Sequence, residues 1–83
     1  MSIQVLFFAG LRQRLGCDRI EVAAQAGMTI ASLRAELVAR GGDWEALAAG
    51  KNIRAALNQD MCAESDEVKD GDEVAFSPPV TGG

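Results

Sequence analysis

The N-terminal part of the chain alternates in a way that predicts a β-hairpin. Residues 3–9 are rich in β-branched and aromatic side chains, and the odd-numbered positions, ending with Ala9, form one apolar face of a strand. Residues 11–15 predict a single helical turn closed by Gly16. Residues 19–22 then alternate again as a second strand. The opening therefore predicts two strands joined by a wide connection.

The helical period is clearest after Thr29, a residue type that caps helix N-termini. Apolar side chains recur at the spacing of one helix face: Ile30, Leu33, Leu37 and Val38. The pair Gly41-Gly42 predicts the end of this helix because glycine readily adopts the left-handed conformation. Glu36 and Arg40 stand one turn apart, where an ion pair can form.

A shorter helical piece and two strands are predicted next. Asp43 is the predicted cap of that piece, and Trp44 within it is predicted to be a core anchor. Residues 53–57 alternate as a third strand, and residues 58–60 form a turn. The apolar pair 61–62 predicts a very short strand.

The last part of the chain predicts a loop and a final strand. The acidic stretch 64–70 is predicted to be a solvated loop, and Asp70-Gly71 makes a tight turn into the strand 74–76. Pro78-Pro79 ends that strand because proline cannot donate a ladder hydrogen bond.

This order of elements predicts an α+β fold with two layers. A hairpin, one crossing helix and returning strands are typical of the ubiquitin-like β-grasp, a mixed sheet of four to five strands packed on one main helix. We expect a domain over residues 1–77 and an extended tail over residues 78–83. Many functions share this fold, so the function depends on the site.

Length and charge restrict the partners. A chain of 83 residues can form one small domain. Its net charge of −4 repels duplex DNA and anionic lipid, so we expect no nucleic acid and no membrane as partner and favour a basic protein. No apolar run reaches the roughly 20 residues of a membrane span, and no basic residue precedes the apolar opening as in a signal peptide. These features predict a cytoplasmic protein.

Metal and thiol chemistry are not expected. Cys17 and Cys62 are far apart in sequence and the chain has no histidine, so neither a zinc motif nor a Cys/His pair can form. Both cysteines are predicted to be small packing residues. The cluster of Asp70, Asp72 and Glu73 fits a turn that leads into a strand, and we predict no metal site.

The C-terminal tail carries the candidate chemistry. Pro78-Pro79 stiffens its start, and Val80 and Thr81 follow. Gly82 and Gly83 then form a tip without side chains, so we expect the tail from Val80 onward to thread into a narrow channel of a partner. The special group at this tip is the α-carboxylate of Gly83, which is ionised at neutral pH and needs activation. Adenylation by a partner followed by attack of a sulfur donor would produce a thiocarboxylate.

The run from Asp70 to Thr81 before Gly-Gly closely resembles the end of the small subunits of molybdopterin synthase. The likeness includes further segments: Val5 to Ala9 with Arg12, the helix start at Thr29, Leu33-Arg34, and Ala56 to Gln59. Members of that family often have a second aromatic residue after the position of Phe76, where this chain has Ser77.

The resemblance implies a sulfur carrier that is not an enzyme alone. An E1-like adenylyltransferase would use ATP to adenylate Gly83, a sulfurtransferase would be the source of sulfur, and a thiocarboxylate would result. The chain would then dock on the large synthase subunit, in a heterotetramer, and donate sulfur to cyclic pyranopterin monophosphate. The molybdopterin dithiolene would be the product. No cofactor is expected to be bound.

The predicted docking face is the even-numbered side of the first strand. Gln4 lies on this side, which indicates that it points away from the helix and exposes Leu6 and Phe8 as an apolar patch. A loop that covers the patch is the alternative. The resemblance suggests that Arg12 donates to a partner carboxylate, although exposed arginines often only solvate a surface.

Two other functions remain open at this point. One keeps the activated tail but changes the acceptor, as in a carrier for thiamine synthesis or a ubiquitin-like protein modifier. The other is a β-grasp module that binds a ligand or transfers electrons without tail chemistry. An iron–sulfur form of that module needs four cysteines, and this chain has two.

Overall fold

A computed structural model describes residues 2–48 and 53–78 of the chain. Along the chain it contains β1 (Ser2–Phe7), α1 (Gly10–Leu15), β2 (Arg19–Ala23), α2 (Ile30–Val38), a 3₁₀ helix (Gly42–Leu47), β3 (Arg54–Leu57), β4 (Asp60–Met61) and β5 (Glu73–Ser77). Within the described ranges, no helix is long and apolar enough to cross a lipid bilayer.

The strands form one mixed sheet of five strands in the order β2-β1-β5-β3-β4. The central pair β1 and β5 is parallel, and the β1–β2, β3–β5 and β3–β4 pairs are antiparallel. The predicted α+β plan and mixed sheet are therefore confirmed. The last strand of the domain lies in the middle of the sheet, beside the first.

The core lies between one face of this sheet and α2. The odd-numbered side chains of β1 point into it, as the alternation predicted. Its largest fully buried members are Phe7, Phe76, Ile3, Ile30, Leu33, Leu37, Leu47, Val5, Val68 and Val74. Burial of this apolar surface is the main favourable term in folding.

The start of α2 confirms Thr29 as its N-cap. The Oγ1 of Thr29 accepts a hydrogen bond from the backbone N–H of Ser32 at 3.1 Å, and the Oγ of Ser32 accepts one from the N–H of Thr29 at 2.8 Å. This reciprocal capping box satisfies two N–H groups that the helix cannot. The helix ends at Val38, before Gly41-Gly42, where two glycines of positive φ redirect the chain.

The first strand is shorter than predicted because the backbone turns sharply at Ala9. Ala9 has a φ of 54°, is exposed and forms the N-cap of α1, so its predicted place on the buried face is wrong. The turn lets α1 bring Leu11 into the core. Gly16 ends α1 in the left-handed conformation, as predicted.

Two predicted local contacts after α2 are replaced by others. Asp43 is not a cap, since the 3₁₀ helix has Gly41 as its N-cap, and its carboxylate lies 3.6 Å from the Nε of Arg14. The guanidinium of Arg40 stacks on the ring of Trp44, with its Cζ 4.8 Å from the ring centroid. The predicted ion pair between Arg40 and Glu36, both within the described residues, does not form. Trp44 is half-buried and packs edge-on against a core phenylalanine, 5.6 Å between ring centroids.

The acidic stretch after β4 is only partly a solvated loop. Val68 within it is buried, and its backbone N–H donates to the carbonyl of Met28 at 2.8 Å. Glu67 also forms an isolated β-bridge with Thr29. The charged residues of this stretch face water while Val68 anchors it to the core.

Candidate functional site

Within residues 2–48 and 53–78, no helix packs on the second face of the sheet, which presents apolar side chains. Strand register aligns one residue from each strand across this face, in the order Arg19, Leu6, Ala75, Ala56 and Met61. Strands lie about 4.8 Å apart, so this row is about 19 Å long. We call Leu6, Phe8, Ala56, Met61 and Ala75 the open face.

The open face includes the two large apolar side chains that remain exposed in the described part of the chain. Phe8 is 48% exposed and Met61 is 73% exposed, whereas Phe7, the neighbour of Phe8, is 1% exposed. Leu6 is half-buried. The predicted orientation of the first strand is therefore confirmed, and no described loop covers Phe8. Contiguous apolar surface of this kind is typical of a protein-docking site.

Sequence reasoning missed three members of the open face: Met61, Ala56 and Ala75. Their alignment follows from the hairpin between β3 and β4, in which Asn58 and Gln59 both have positive φ. Two such residues form the tight turn that fixes strand register. The turn at residues 58–60 was predicted, so its register was the signal that could have placed Met61 beside Ala56.

The start of the tail lies at the same end of the sheet as Phe8. Because β1 and β5 are parallel, their C-terminal ends meet at one edge, and the N–H of Phe8 donates to the carbonyl of Phe76 at 3.2 Å. Pro78 lines a groove with Gly10, Leu11, Arg14 and Ile53. The predicted tail residues lie outside the described residues: Val80, Thr81, Gly82 and Gly83.

Arg12 lies beside the open face, as its predicted docking role requires. It is exposed on α1 and lines a groove of about 310 Å³ together with Leu6, Phe8, Asp18 and Arg19. Within residues 2–48 and 53–78 its guanidinium has no ion-pair partner. A carboxylate from outside could be bound here, and that role stays a prediction.

Ser77 occupies the position where the resembled family often has an aromatic residue. It is half-buried at the end of β5, on the same face as Leu6, and pairs with Arg54 of β3. An arginine and a hydroxyl thus stand where a ring would extend the apolar surface. This end of the open face is more polar than the family pattern predicts.

The two cysteines and the acidic side chains show no sign of chemical activity in the described part of the chain. The thiol of Cys62 donates to the carbonyl of Ala55 at 3.4 Å, and burial, with the nearby charges of Asp66 and Glu64, raises its pKa. A raised pKa disfavours the reactive thiolate. Cys17 packs against the core. The described ranges hold no group of three or more side chains suited to a metal ion.

The sequence of this chain is similar to a known protein family and to named relatives. The model of the ThiS family matches residues 5–83. The molybdopterin synthase sulfur carrier subunit of Escherichia coli (strain K12) is 43% identical over 81 residues, 98% of this chain and 99% of that protein. The subunit of the same name from Haemophilus influenzae is 42% identical over 82 residues, with the same coverage of 98% and 99%.

Solved structures share the fold. In a complex of subunits 1 and 2 of the molybdopterin-converting factor from Helicobacter pylori 26695, one chain matches with a TM-score of 0.70 and 26% identity over 100% of both chains. Small archaeal modifier protein 1 from Haloferax volcanii has a TM-score of 0.81 over 95% of this chain and 98% of its own. At 22% identity that likeness shows the fold alone. On the family match and the two full-length relatives, the chain belongs to the ThiS family.

Proposed function

We propose that this protein is the sulfur carrier subunit of molybdopterin synthase and acts through the carboxylate of Gly83. Relatives of that name, more than 40% identical over nearly the whole chain, support this function. The Helicobacter pylori complex supports docking on a large subunit. The protein is then a co-substrate and subunit of a heteromeric transferase, in the cytoplasm, and not an enzyme alone.

The tail is first adenylated and then loaded with sulfur. The Gly83 carboxylate attacks the α-phosphate of ATP on an E1-like enzyme, which forms an acyl adenylate and releases pyrophosphate. The terminal sulfur of a persulfide on a sulfurtransferase then attacks the acyl carbon, and AMP leaves. A thiol reduces the resulting acyl disulfide, which frees the sulfurtransferase and leaves a thiocarboxylate on Gly83. Two such carriers each donate one sulfur to cyclic pyranopterin monophosphate, and water hydrolyses the acyl–sulfur bond of each to restore the carboxylate. The partners supply ATP and catalysis, while this chain holds the sulfur on an arm that enters their sites.

The observation that carries the proposal is that the chain leaves β5 beside Phe8, whose N–H donates to the carbonyl of Phe76, two residues before Pro78. Parallel pairing of β1 and β5 puts the start of the tail at the edge of the open face. A partner that grips the open face therefore receives the tail at the border of the same contact. Effective concentration of the tip in the partner's site is then set by a short segment, residues 79–83.

The test is intact mass spectrometry of the full chain after incubation with ATP, a sulfur source and the E1-like enzyme. We expect the mass gain for replacement of one carboxylate oxygen by sulfur, located at Gly83. A variant with one additional C-terminal alanine should show no gain, because its Gly83 carbonyl is in an amide. The same extension should abolish molybdopterin synthesis while the thermal unfolding curve stays unchanged.

Two outcomes would contradict the proposal. The first is a thiocarboxylate on the extended variant, or molybdopterin synthesis by it. The second is the appearance of isopeptide conjugates to lysines in cell extract without any thiocarboxylate, which would assign the chain to protein modification instead.

A further inference from the structure

The arginines of this acidic protein are unevenly distributed. The chain has eight lysines and arginines against twelve aspartates and glutamates. Three of the eight border the open face at one end: Arg12, Arg19 and Arg54. Arg19 pairs across the ladder with Leu6, and Arg54 pairs with Ser77. All three are exposed. A positive rim therefore surrounds the apolar end nearest the tail.

These three guanidiniums make no ion pair with another residue of the ranges 2–48 and 53–78. Other arginines of those ranges have internal partners. Arg34 binds Glu64, Arg14 binds Asp43, and Arg40 stacks on Trp44. Asp18 shares the groove with Arg12 and Arg19 but lies beyond ion-pair distance of both. The fold thus uses its other arginines internally and leaves the rim for an outside group.

The opposite end of the same face is acidic. In the next row across the sheet, Gln4 pairs with Glu21 on one side and Glu73 on the other. Asp72 lines the groove that begins at Gln4 and Glu73. The face therefore has a charge gradient along β1, positive near Phe8 and negative near Gln4.

A partner that covers the positive rim must supply carboxylates to pair with its arginines. An arginine taken out of water without a partner costs several kcal/mol, more than the nearby apolar contact of one side chain contributes. Arginine is also weakly hydrated and forks onto a carboxylate with two parallel hydrogen bonds. An apolar partner surface without acidic groups would thus be rejected by this face.

We propose that the open face recognises a partner surface that is apolar at its centre and carries carboxylates opposite Arg12, Arg19 and Arg54. This inference rests on the proposed function and specifies the chemistry of the docking surface on the large synthase subunit. The gradient also selects one orientation, because a partner rotated by half a turn would place its carboxylates against Glu21 and Glu73. The selected orientation keeps the start of the tail on the acidic side of the partner's contact.

The test measures the association rate of the full chain with the large synthase subunit for Arg19→Glu and Arg54→Glu. Lys69→Glu is the matched control, since it makes the same change in net charge in a loop that lines a different groove. At low ionic strength we expect each arginine variant to associate about tenfold more slowly and the lysine variant to change by less than about twofold. The difference should shrink as salt is raised.

The possible outcomes distinguish failure of this inference from failure of the proposed function on which it rests. If Lys69→Glu slows association as much as the arginine variants, only net charge matters and the rim has no role. The proposed function survives that result when Phe8→Ala still weakens the complex. If the unmodified chain does not bind the large subunit at all, the proposed function fails and the inference fails with it. Thermal unfolding of every variant tests whether misfolding is the cause. The neutral changes Arg19→Gln and Arg54→Gln should slow association by about half as much, on a logarithmic scale, as the changes to glutamate.

Discussion

Arg34 is the charged side chain that α2 turns into the protein. Its Nη1 donates to the carbonyl of Leu47 at 2.9 Å, and its Nη2 donates to the carbonyl of Ile53 at 3.2 Å and to Glu64 at 3.1 Å. Its Nε lies 3.0 Å from the second oxygen of Glu64. One guanidinium therefore ties the 3₁₀ helix, the start of β3 and the loop after β4 to α2.

Arg34→Met should destabilise the protein although it keeps the length of the apolar stem. The carbonyl of Leu47 would lose a buried donor, and we expect a loss of about 2–4 kcal/mol in the free energy of unfolding by urea. Glu64→Gln is the control and should cost about 1 kcal/mol, because that side chain is half exposed and can be hydrated. An Arg34→Met protein with unchanged stability would show that the guanidinium contacts contribute nothing net.

Neighbouring phenylalanines should separate folding from docking. Phe7→Ala empties a buried site, and we expect it to lower the free energy of unfolding by about 3–5 kcal/mol. Phe8→Ala should lower it by less than about 1 kcal/mol but weaken binding to the large synthase subunit by about 1–3 kcal/mol. Urea unfolding and calorimetric titration measure the two effects. Equal losses of stability with unchanged binding would contradict a docking role for Phe8.

At the scale of elements, Asn58 joins the β3–β4 turn to the start of β5. Its N–H donates to the carbonyl of Glu73 at 2.8 Å, and its side chain accepts from the N–H of Glu73 at 3.0 Å and donates to Asp72 at 3.1 Å. Asp72 also accepts from the N–H of Lys69 at 2.8 Å. The acidic turn is thus a hydrogen-bonded junction, which agrees with its predicted structural role.

This junction should make stability depend on pH. The hydrogen bond from the Lys69 N–H, followed by that from Asn58, lowers the pKa of Asp72 below its usual 3.8. A lowered folded-state pKa stabilises the protein above the unfolded pKa, and the stabilisation is lost as pH falls through the folded value. The urea midpoint of the unmodified protein should therefore exceed that of Asp72→Asn at pH 7, and the gap should narrow below about pH 4.

Asp70→Asn is the matched control because it removes a neighbouring carboxylate but none of these hydrogen bonds. A gap for Asp72→Asn that is the same at pH 7 and pH 3 would contradict the linkage. So would an equal gap for both variants at every pH.

Elements with strong local signals were predictable, and those set by distant contacts were not. Thr29 and Gly16 mark helix ends through their own conformations, so both were predicted correctly. The cap predicted at Asp43 failed because two preceding glycines of positive φ start the 3₁₀ helix earlier. Arg34 entered only as part of a family motif, since its partner Glu64 lies 30 positions away in sequence.

At the scale of the whole molecule, the net charge does not describe the charge around the open face. A charge of −4 favours a basic partner, but this average hides the positive rim around Phe8. Alternation along β1 was enough to predict that Leu6 and Phe8 share a face. The contribution of Met61 and the proximity of Arg19 and Arg54 depend on strand order and register, which a single sequence does not determine.

The division of labour between body and tail is a prediction for the whole chain. We expect the tail from Val80 onward, which lies outside the described residues, to become ordered only inside a partner. Ordering costs about 1–2 kcal/mol per residue, which docking of the open face must offset. A peptide of residues 76–83 should therefore bind the large subunit at least about 100-fold more weakly than the full chain.

A chain truncated after Pro78 is the complementary control, and it should still bind the large subunit through the open face. NMR order parameters of Gly82 and Gly83 should rise on binding of the full chain. A peptide that binds as tightly as the full chain, or a truncated chain that does not bind, would contradict the division.

The central position of β5 has a consequence for biosynthesis. Without β5, the β1–β2 hairpin and the β3–β4 hairpin have no strand to join them, and Val74 and Phe76 are missing from the core. Domains made during translation emerge N-terminus first, so this one cannot complete its sheet until residue 77 has left the ribosome. We expect products that stop earlier to stay unfolded and to be open to proteolysis. The folded pool would thereby be restricted to chains that reach the start of the tail.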